Sequence, residues 1–344
     1  MEEVTIKDIA KKCGVGISTV SRAINNHPDI NPETKQMVMD VIRETGYIPN
    51  NSARNLKRTD ARCIAVLIKG ITNPFFSIAI QVIEAQAQRR KYAMVMQHVE
   101  NYENEVEVAL ELIKEKRLRG IIFLGGTFYH TKESLTKLTV PFIFSTIGAE
   151  QDDCEKKQYS NISVDDKLES KKMVEYLIDL GHRRIAIIAA GADDSSVGQL
   201  RLEGYREALI ENRIPVDENL IRIIDDKVDP YSMENGYMTT QNLLKSGQEF
   251  TALFAIADFL AVGACRALRE AGRRIPTDVS VAGYDGIAIG EYYNPTLTTI
   301  RQPIEQMADR TVNLLLDVIE DGCAHEHIIF PAELIEREST ALVI

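Results

Sequence analysis

From Cys63 onward the chain alternates short apolar runs with amphipathic stretches, and this alternation narrows the fold more than any other feature. Runs of strand length stand at Ile64–Ile68, Ala93–Met96, Gly120–Leu124, Phe142–Ser145, Ile185–Ala189, Leu220–Ile224, Ala252–Ile256 and Val279–Ala282. Between them apolar residues recur at helical spacing over Phe76–Arg89, Glu103–Lys114, Lys167–Leu180, Leu200–Glu211, Met233–Leu244 and Phe259–Ala271. Strand and helix in repeated turn predict parallel, doubly wound sheets with helices on both faces. About 280 residues are too many for one such sheet. Asn161-Ile162-Ser163-Val164-Asp165 reads as the crossover into a second one.

Ahead of this body, residues 4–25 spell two short helices meeting at a glycine-bearing turn. Thr5 is placed to cap the first, with Asp8 three residues on as the partner of a capping box, and Ile6, Ile9 and Ala10 share one apolar face. Gly14-Val15-Gly16 breaks the pattern, and a second helix follows with Val20, Ala23 and Ile24 inward and Ile17, Ser18, Ser21 and Arg22 outward. Asn31-Pro32-Glu33 starts a third helix, whose apolar face carries Val38, Val41 and Ile42 and which stops at Gly46. Such a pair, polar and cationic on the outer face of its second helix, is the form that lays a recognition helix in the DNA major groove. Residues 50–59 offer only Ala53 and Leu56 as an apolar edge, too little for a lone helix, and read as a flexible basic linker.

Charge agrees with this division. The chain carries a net −11, yet residues 1–58 hold nine Lys and Arg against seven Asp and Glu, a net +2 that leaves −13 elsewhere. A mildly basic head on an acidic body suits local DNA contact and excludes binding by the whole surface. Cys13, Cys63, Cys154, Cys265 and Cys323 are scattered, odd in number and without a CxxC, so neither a disulfide framework nor a metal site is expected. The N-terminus is acidic and lacks the apolar stretch of a signal peptide, and no apolar run reaches spanning length, so the cytoplasm is the expected compartment. There is no GxSxG, no GxGxxG after a strand and no HExxH, and the chain is expected to be neither an enzyme nor a cofactor carrier.

Val4 to Asn25 meets, almost throughout, the pattern V-T-x-x-D-[IV]-A-x-x-[AC]-G-V-S-x-x-T-V-S-R-x-[IVL]-N. It thereby resembles the lactose-repressor and galactose-repressor family of bacterial transcription regulators. Gly16 departs from it, standing where the family has Ser. The resemblance implies a small all-α helix-turn-helix head before a two-lobed α/β effector domain of periplasmic-binding-protein form. Leu297-Thr298-Thr299-Ile300-Arg301-Gln302-Pro303 matches the family's second crossover and precedes a helix over Ile304–Ile319. The expected division is a head over 1–48, a hinge over 49–60, a first lobe of 61–160 with 293–323, and a second of 161–292 with 324–344. The family's partner is a near-palindromic double-stranded operator in the nucleoid, read by a homodimer. The chain stops without the heptad tail of tetrameric members, which favours a dimer here. Ile17, Ser18 and Arg22 are assigned to base readout and Asn25, Thr34 and Tyr47 to phosphates, with Thr5, Thr19, Ser21 and Asn50 completing the DNA-facing set. Ala53 and Leu56 would wedge a minor-groove step beside Arg54, as a hinge helix that forms on DNA.

Ligands of such sheets sit at the carboxyl ends of the strands. By resemblance, Phe75 supplies an aromatic platform there, Phe76 is open between core and cleft, and Tyr231 forms a wall. His98 stands where the family commonly has Asn. Arg201 opens the family's R-x-x-G-[FYW] signature and would reach vicinal hydroxyls or a carboxylate, and Asp285, in its G-[YF]-D position, would accept from sugar hydroxyls. Ala257-Asp258 replaces the usual Asn-Asp, and Asp258 is expected to cap the following helix. The implied activity is operator binding, in the manner of a repressor, controlled by a small molecule in the cleft. A sugar or sugar derivative is the family-weighted effector, with a nucleobase or a phosphoprotein partner left open. A solute-binding protein without regulatory role is the alternative.

Overall fold

The structure is a computed structural model that describes residues 4–24, 27, 29–47, 62–127, 130–148, 158–191, 196–225 and 227–343. It divides into two compact units, Met1–Ala61 and Arg62–Ile344.

In the first unit, helices span Ile6–Cys13, Ile17–Ile24 and Pro32–Thr45. Gly14 ends the first of them at φ 65°, a left-handed turn that costs glycine little. The Asn31 side chain accepts from Glu33 N at 2.8 Å and Thr34 N at 3.3 Å, starting the third. Ile9, Ala10, Val20, Ala23 and Val38 form the buried centre, with Val41 and Ile42 against it.

The second unit holds two six-stranded sheets. Strands β1 (Cys63–Lys69), β2 (Ala93–Val99), β3 (Gly120–Leu124), β4 (Phe142–Ser145), β5 (Ser160–Val164) and β11 (His327–Phe330) make the first, in the order β11-β5-β4-β3-β1-β2. Strands β6 (Ile185–Ala189), β7 (Ile221–Ile223), β8 (Ala252–Ala255), β9 (Ser280–Asp285), β10 (Thr298–Arg301) and β12 (Glu333–Ile335) make the second, in the order β12-β10-β9-β8-β6-β7. The pairings are parallel except that of β10 with β12. Helices cover both faces, and the central strands β3, β6 and β8 are apolar throughout. In β1, Ile64, Val66 and Ile68 enter one core while Ala65 and Leu67 enter the core on the opposite face.

The crossings between lobes lie later than the expected breaks at 161, 293 and 324. β5 pairs with β4, so the first crossing follows Val164. β10 pairs with β9, so the chain returns to the first lobe only at Gln302 and Pro303. β11 pairs with β5, and the last crossing is the short link before β12. In each case a strand completes its own sheet's hydrogen bonds before the chain leaves. The expected strand Leu220–Ile224 is trimmed, its first residue closing the 3₁₀ turn Glu218–Leu220.

Helix Met233–Lys245 packs on helix Asp258–Glu270 backbone to backbone. A Cβ on Gly263 would fall 2.0 Å from Met233 O, and one on Gly236 would fall 2.1 Å from Leu260 O. No described helix is long and apolar enough to cross a membrane.

Candidate effector cleft and DNA-reading head

The carboxyl ends of both sheets face a cavity of about 670 Å³. The first lobe contributes Lys69, Asn73, Phe75, Phe76, Asn101 and the loop Gly125-Gly126-Thr127, and the second contributes Arg201, Asp225, Asp229, Tyr231 and Asp285. Gln302, where the chain crosses back, joins them.

Helix Val197–Glu211 carries Arg201 to the floor of this space, where it is 4 % exposed. Its guanidinium donates from Nε to Asp166 Oδ1 at 2.8 Å and from Nη1 to the Ile256 carbonyl at 2.6 Å. Nη2 lies 2.8 Å from the same Asp166 oxygen, Nη1 3.5 Å from Asp285 Oδ1, and the group sits 3.7 Å above the Tyr284 ring. Burial opposes the guanidinium charge, but Asp166, Tyr284 and Asp285 together raise its pKa. Arg201 is therefore a buried hub first, with few donors left for a ligand. Asp166 was not picked out by sequence, although an acid directly after a crossover strand sits where the lobes meet.

Asp285 ends β9 at φ 108°, a conformation that costs a residue with a side chain about 1–3 kcal/mol and persists only where neighbours over-determine it. Gln302 Nε2 donates to its Oδ1 at 2.9 Å and Asn73 Nδ2 to its Oδ2 at 3.2 Å. Burial pushes its carboxyl up to about 6, with Arg201 and the two amides pulling back. Gly286 behind it admits no side chain, since a Cβ would meet Arg301 Cβ at 2.5 Å.

The expected capping role of Asp258 is corrected. It is the first residue of its helix rather than the cap, is fully buried, and accepts from Thr299 Oγ1 at 2.7 Å and Ile287 N at 2.8 Å. It joins β10 to the loop after β9. Burial, reinforced by Asp285, raises its pKa to about 8.

On the first lobe, Glu105 is 2 % exposed and organises the wall. It accepts from Thr127 N at 2.7 Å and Thr127 Oγ1 at 3.1 Å, pairs with Lys69 at 3.2 Å and lies 3.2 Å from His130 Nε2. Burial pushes this carboxyl up, yet His130, Lys69 and the Thr127 amide overcome it and hold it at about 2. Phe75 lines the cavity while lying in the first-lobe core, and Phe76 is half-buried beside it at 5.5 Å, edge to face. Tyr231 lines the opposite wall. The structure moves His98 away from the cleft: β2 continues to Val99, His98 is exposed on that edge strand beside Glu100 at 3.6 Å, and Asn101 lines the space instead.

In the head, Ile17, Ser18 and Arg22 are exposed on the second helix, with Thr19 and Ser21 half-buried on its flank. Thr5 donates from N and Oγ1 to Asp8 Oδ2 at 2.9 and 2.6 Å. Thr34 is half-buried in the first turn of the third helix, and Tyr47 packs against the head core. Asn25, Asn50, Ala53, Arg54 and Leu56 lie outside the described residues.

A three-helix head with an exposed recognition face, followed by two lobes around a cavity lined by charged, amide and aromatic side chains, defines a DNA-binding regulator with a ligand-responsive body. Comparison with known proteins names the family. Residues 5–50 match the lacI family of bacterial regulatory proteins and residues 174–340 a periplasmic binding protein-like domain. The HTH-type transcriptional regulator MalR of Clostridium butyricum is 39 % identical over 341 residues, 98 % of this chain and 99 % of that one. The lac repressor dimer bound to operator and the anti-inducer ONPF matches with a TM-score of 0.77 at 27 % identity, covering 99 % of this chain and 100 % of that chain. The CelR–cellobiose complex matches with a TM-score of 0.70 at 28 % identity, covering 98 % and 100 %. The chain belongs to the lacI family and is a DNA-binding transcription regulator.

Proposed function

We propose that the chain is a cytoplasmic, dimeric repressor whose grip on a near-palindromic operator is set by a neutral carbohydrate in the cleft. Ile17, Ser18 and Arg22 read bases, Thr5, Thr19, Ser21, Thr34 and Tyr47 hold the backbone, and Asn25, Asn50, Ala53, Arg54 and Leu56 extend the DNA contact. The observation that carries the effector class is the charge balance of the cavity. Among the described residues its two cations are already matched, Lys69 by Glu105 at 3.2 Å and Arg201 by Asp166 at 2.8 Å, while Asp225, Asp229 and Asp285 add negative charge to the lining. An anionic ligand would find no free counter-charge among these residues. Hydroxyl groups suit the same lining, which mixes carboxylates and amides with the rings of Phe75, Phe76 and Tyr231. The cellobiose held by CelR is of this class.

The test pairs two measurements on the full chain. Operator half-sites are first selected from random duplexes, and fluorescence anisotropy then follows binding as neutral sugars, sugar phosphates and uronic acids are added. A neutral di- or monosaccharide should shift operator affinity at least tenfold. A response to sugar phosphates alone would overturn the effector class, and absence of any selected sequence would overturn the regulator reading.

A further inference from the structure

Asn73 links the two lobes. It sits in the turn after β1, and its side-chain oxygen accepts from Phe75 N at 3.1 Å, an Asx-turn into helix Phe75–Arg89. This fixes which end of the amide faces where, because reversing it would set NH₂ against the Phe75 N–H and oxygen against a carboxylate. The NH₂ end is thereby committed to the second lobe, where it donates to Asp285 Oδ2 at 3.2 Å. Asp285 cannot turn away, since Gln302 and Arg201 hold its other oxygen and Gly286 behind it is packed against Arg301. Both ends of the bond are buried, with Asn73 8 % and Asp285 3 % exposed. Apolar contacts run beside it: Phe259, Ile287 and Ile289 of the second lobe pack on the first-lobe core, as do Val197 and Leu200 on that lobe's other face.

We propose that Asn73 is the positioning residue of the cleft, a latch whose bond to Asp285 holds the lobes closed before any effector arrives. Resting on the effector-controlled reading above, it adds that closure is built into the chain and that the effector adjusts a closed state.

The latch is testable without knowing the effector, through hydrogen exchange of the ligand-free full chain at residues 286–290 and 196–200, which pack across the seam. Asn73→Ser keeps a hydroxyl for the turn to Phe75 but cannot reach Asp285. Asn73→Asp keeps the turn and sets carboxylate against carboxylate. A hydrogen bond to a charged group is worth about ten- to a hundredfold in an equilibrium, so both variants should exchange at least tenfold faster in these segments at pH 7.5. Only Asn73→Asp should regain protection, corrected for intrinsic exchange, at pH 5, where the two carboxyls share a proton. The other groups facing Asp285, namely Arg201, Asp166, Asp258 and Gln302, are common to all three proteins and cancel in the comparison. Equal protection in wild type and both variants overturns the latch, as does faster exchange in Asn73→Asp that persists at pH 5. Neither result touches operator binding or effector class, which the anisotropy experiment decides separately.

Discussion

Arg201→Ala would be expected, from sequence, to abolish the effector response while leaving DNA binding intact; the geometry predicts a heavier consequence. Removal leaves Asp166 and Asp285, 1 % and 3 % exposed, with no cation, and leaves the Ile256 carbonyl without its 2.6 Å donor. Breaking a buried pair from one side costs about 3–5 kcal/mol because a charge is stranded. The stacking over Tyr284 goes too, but it overlaps with the same ion pairing and is not added. Taking about 4 kcal/mol, and about 2–4 °C per kcal/mol for a domain this large, the second unit should melt roughly 10 °C lower at pH 7.5. The pH dependence has a definite sign. Burial already raises both carboxyls in the folded state, and without Arg201 they rise further, so the folded variant binds protons that the unfolded chain releases. The deficit is therefore largest at high pH and shrinks as pH falls towards about 6, the value to which Asp285 is pushed with the cation present. Thermal unfolding followed by circular dichroism at pH 7.5 and pH 5 measures both quantities, with Arg201→Lys expected to fall between. A variant that melts like wild type at both pH values while ignoring its effector would refute the hub and restore Arg201 as a simple ligand contact.

Asp258→Asn keeps an acceptor for Ile287 N and offers an amide to Thr299, so it should fold normally; because wild-type stability from a carboxyl raised to about 8 is lost as pH rises towards that value, the variant should gain on wild type between pH 5 and pH 8.5 in urea titrations. If the two proteins keep a constant difference across that range, Asp258 does not titrate as burial requires. Gly263→Ala must push helix Asp258–Glu270 off Met233 O, at about 3 kcal/mol for overpacking, and a urea midpoint equal to wild type would contradict the backbone contact. Arg22→Ala should weaken the selected operator by about 1–3 kcal/mol and random duplex far less; equal losses on both would reduce Arg22 to a phosphate contact.

The alternation that announced the parallel sheets survives because it is local. Strands that are apolar at every position, as Ile185–Ala189 and Gly120–Leu124 are, need no partner to be recognised, whereas Ser160–Val164 is equally buried but carries two Ser and an Asn and reads as a crossover. The head was legible for a related reason: the Asn31 start and the stop at Gly46 involve residues within a few positions of one another. What escaped notice depends on distant pairing. Gln302 and Asn73 converge on Asp285 from 17 and 212 residues away. Asp258 resembled a cap because an acid at a helix start usually is one, and only the fold brings Thr299 to it. His98 was misjudged by strand length, since an edge strand with one exposed face gives no apolar signal for its last residues.

The connectivity of the lobes has a consequence for where information can travel. The head joins the first lobe at Arg62, the chain crosses between lobes three times, and residues 333–343 lie with the second. The second lobe thus has no covalent route to the DNA-reading helix except back through its neighbour. It works like a rudder with no tiller rope of its own, able to turn the vessel only by the hull it is fastened to. Along the chain, a substitution deep in the second lobe can reach the head only by way of the pose it imposes on the first.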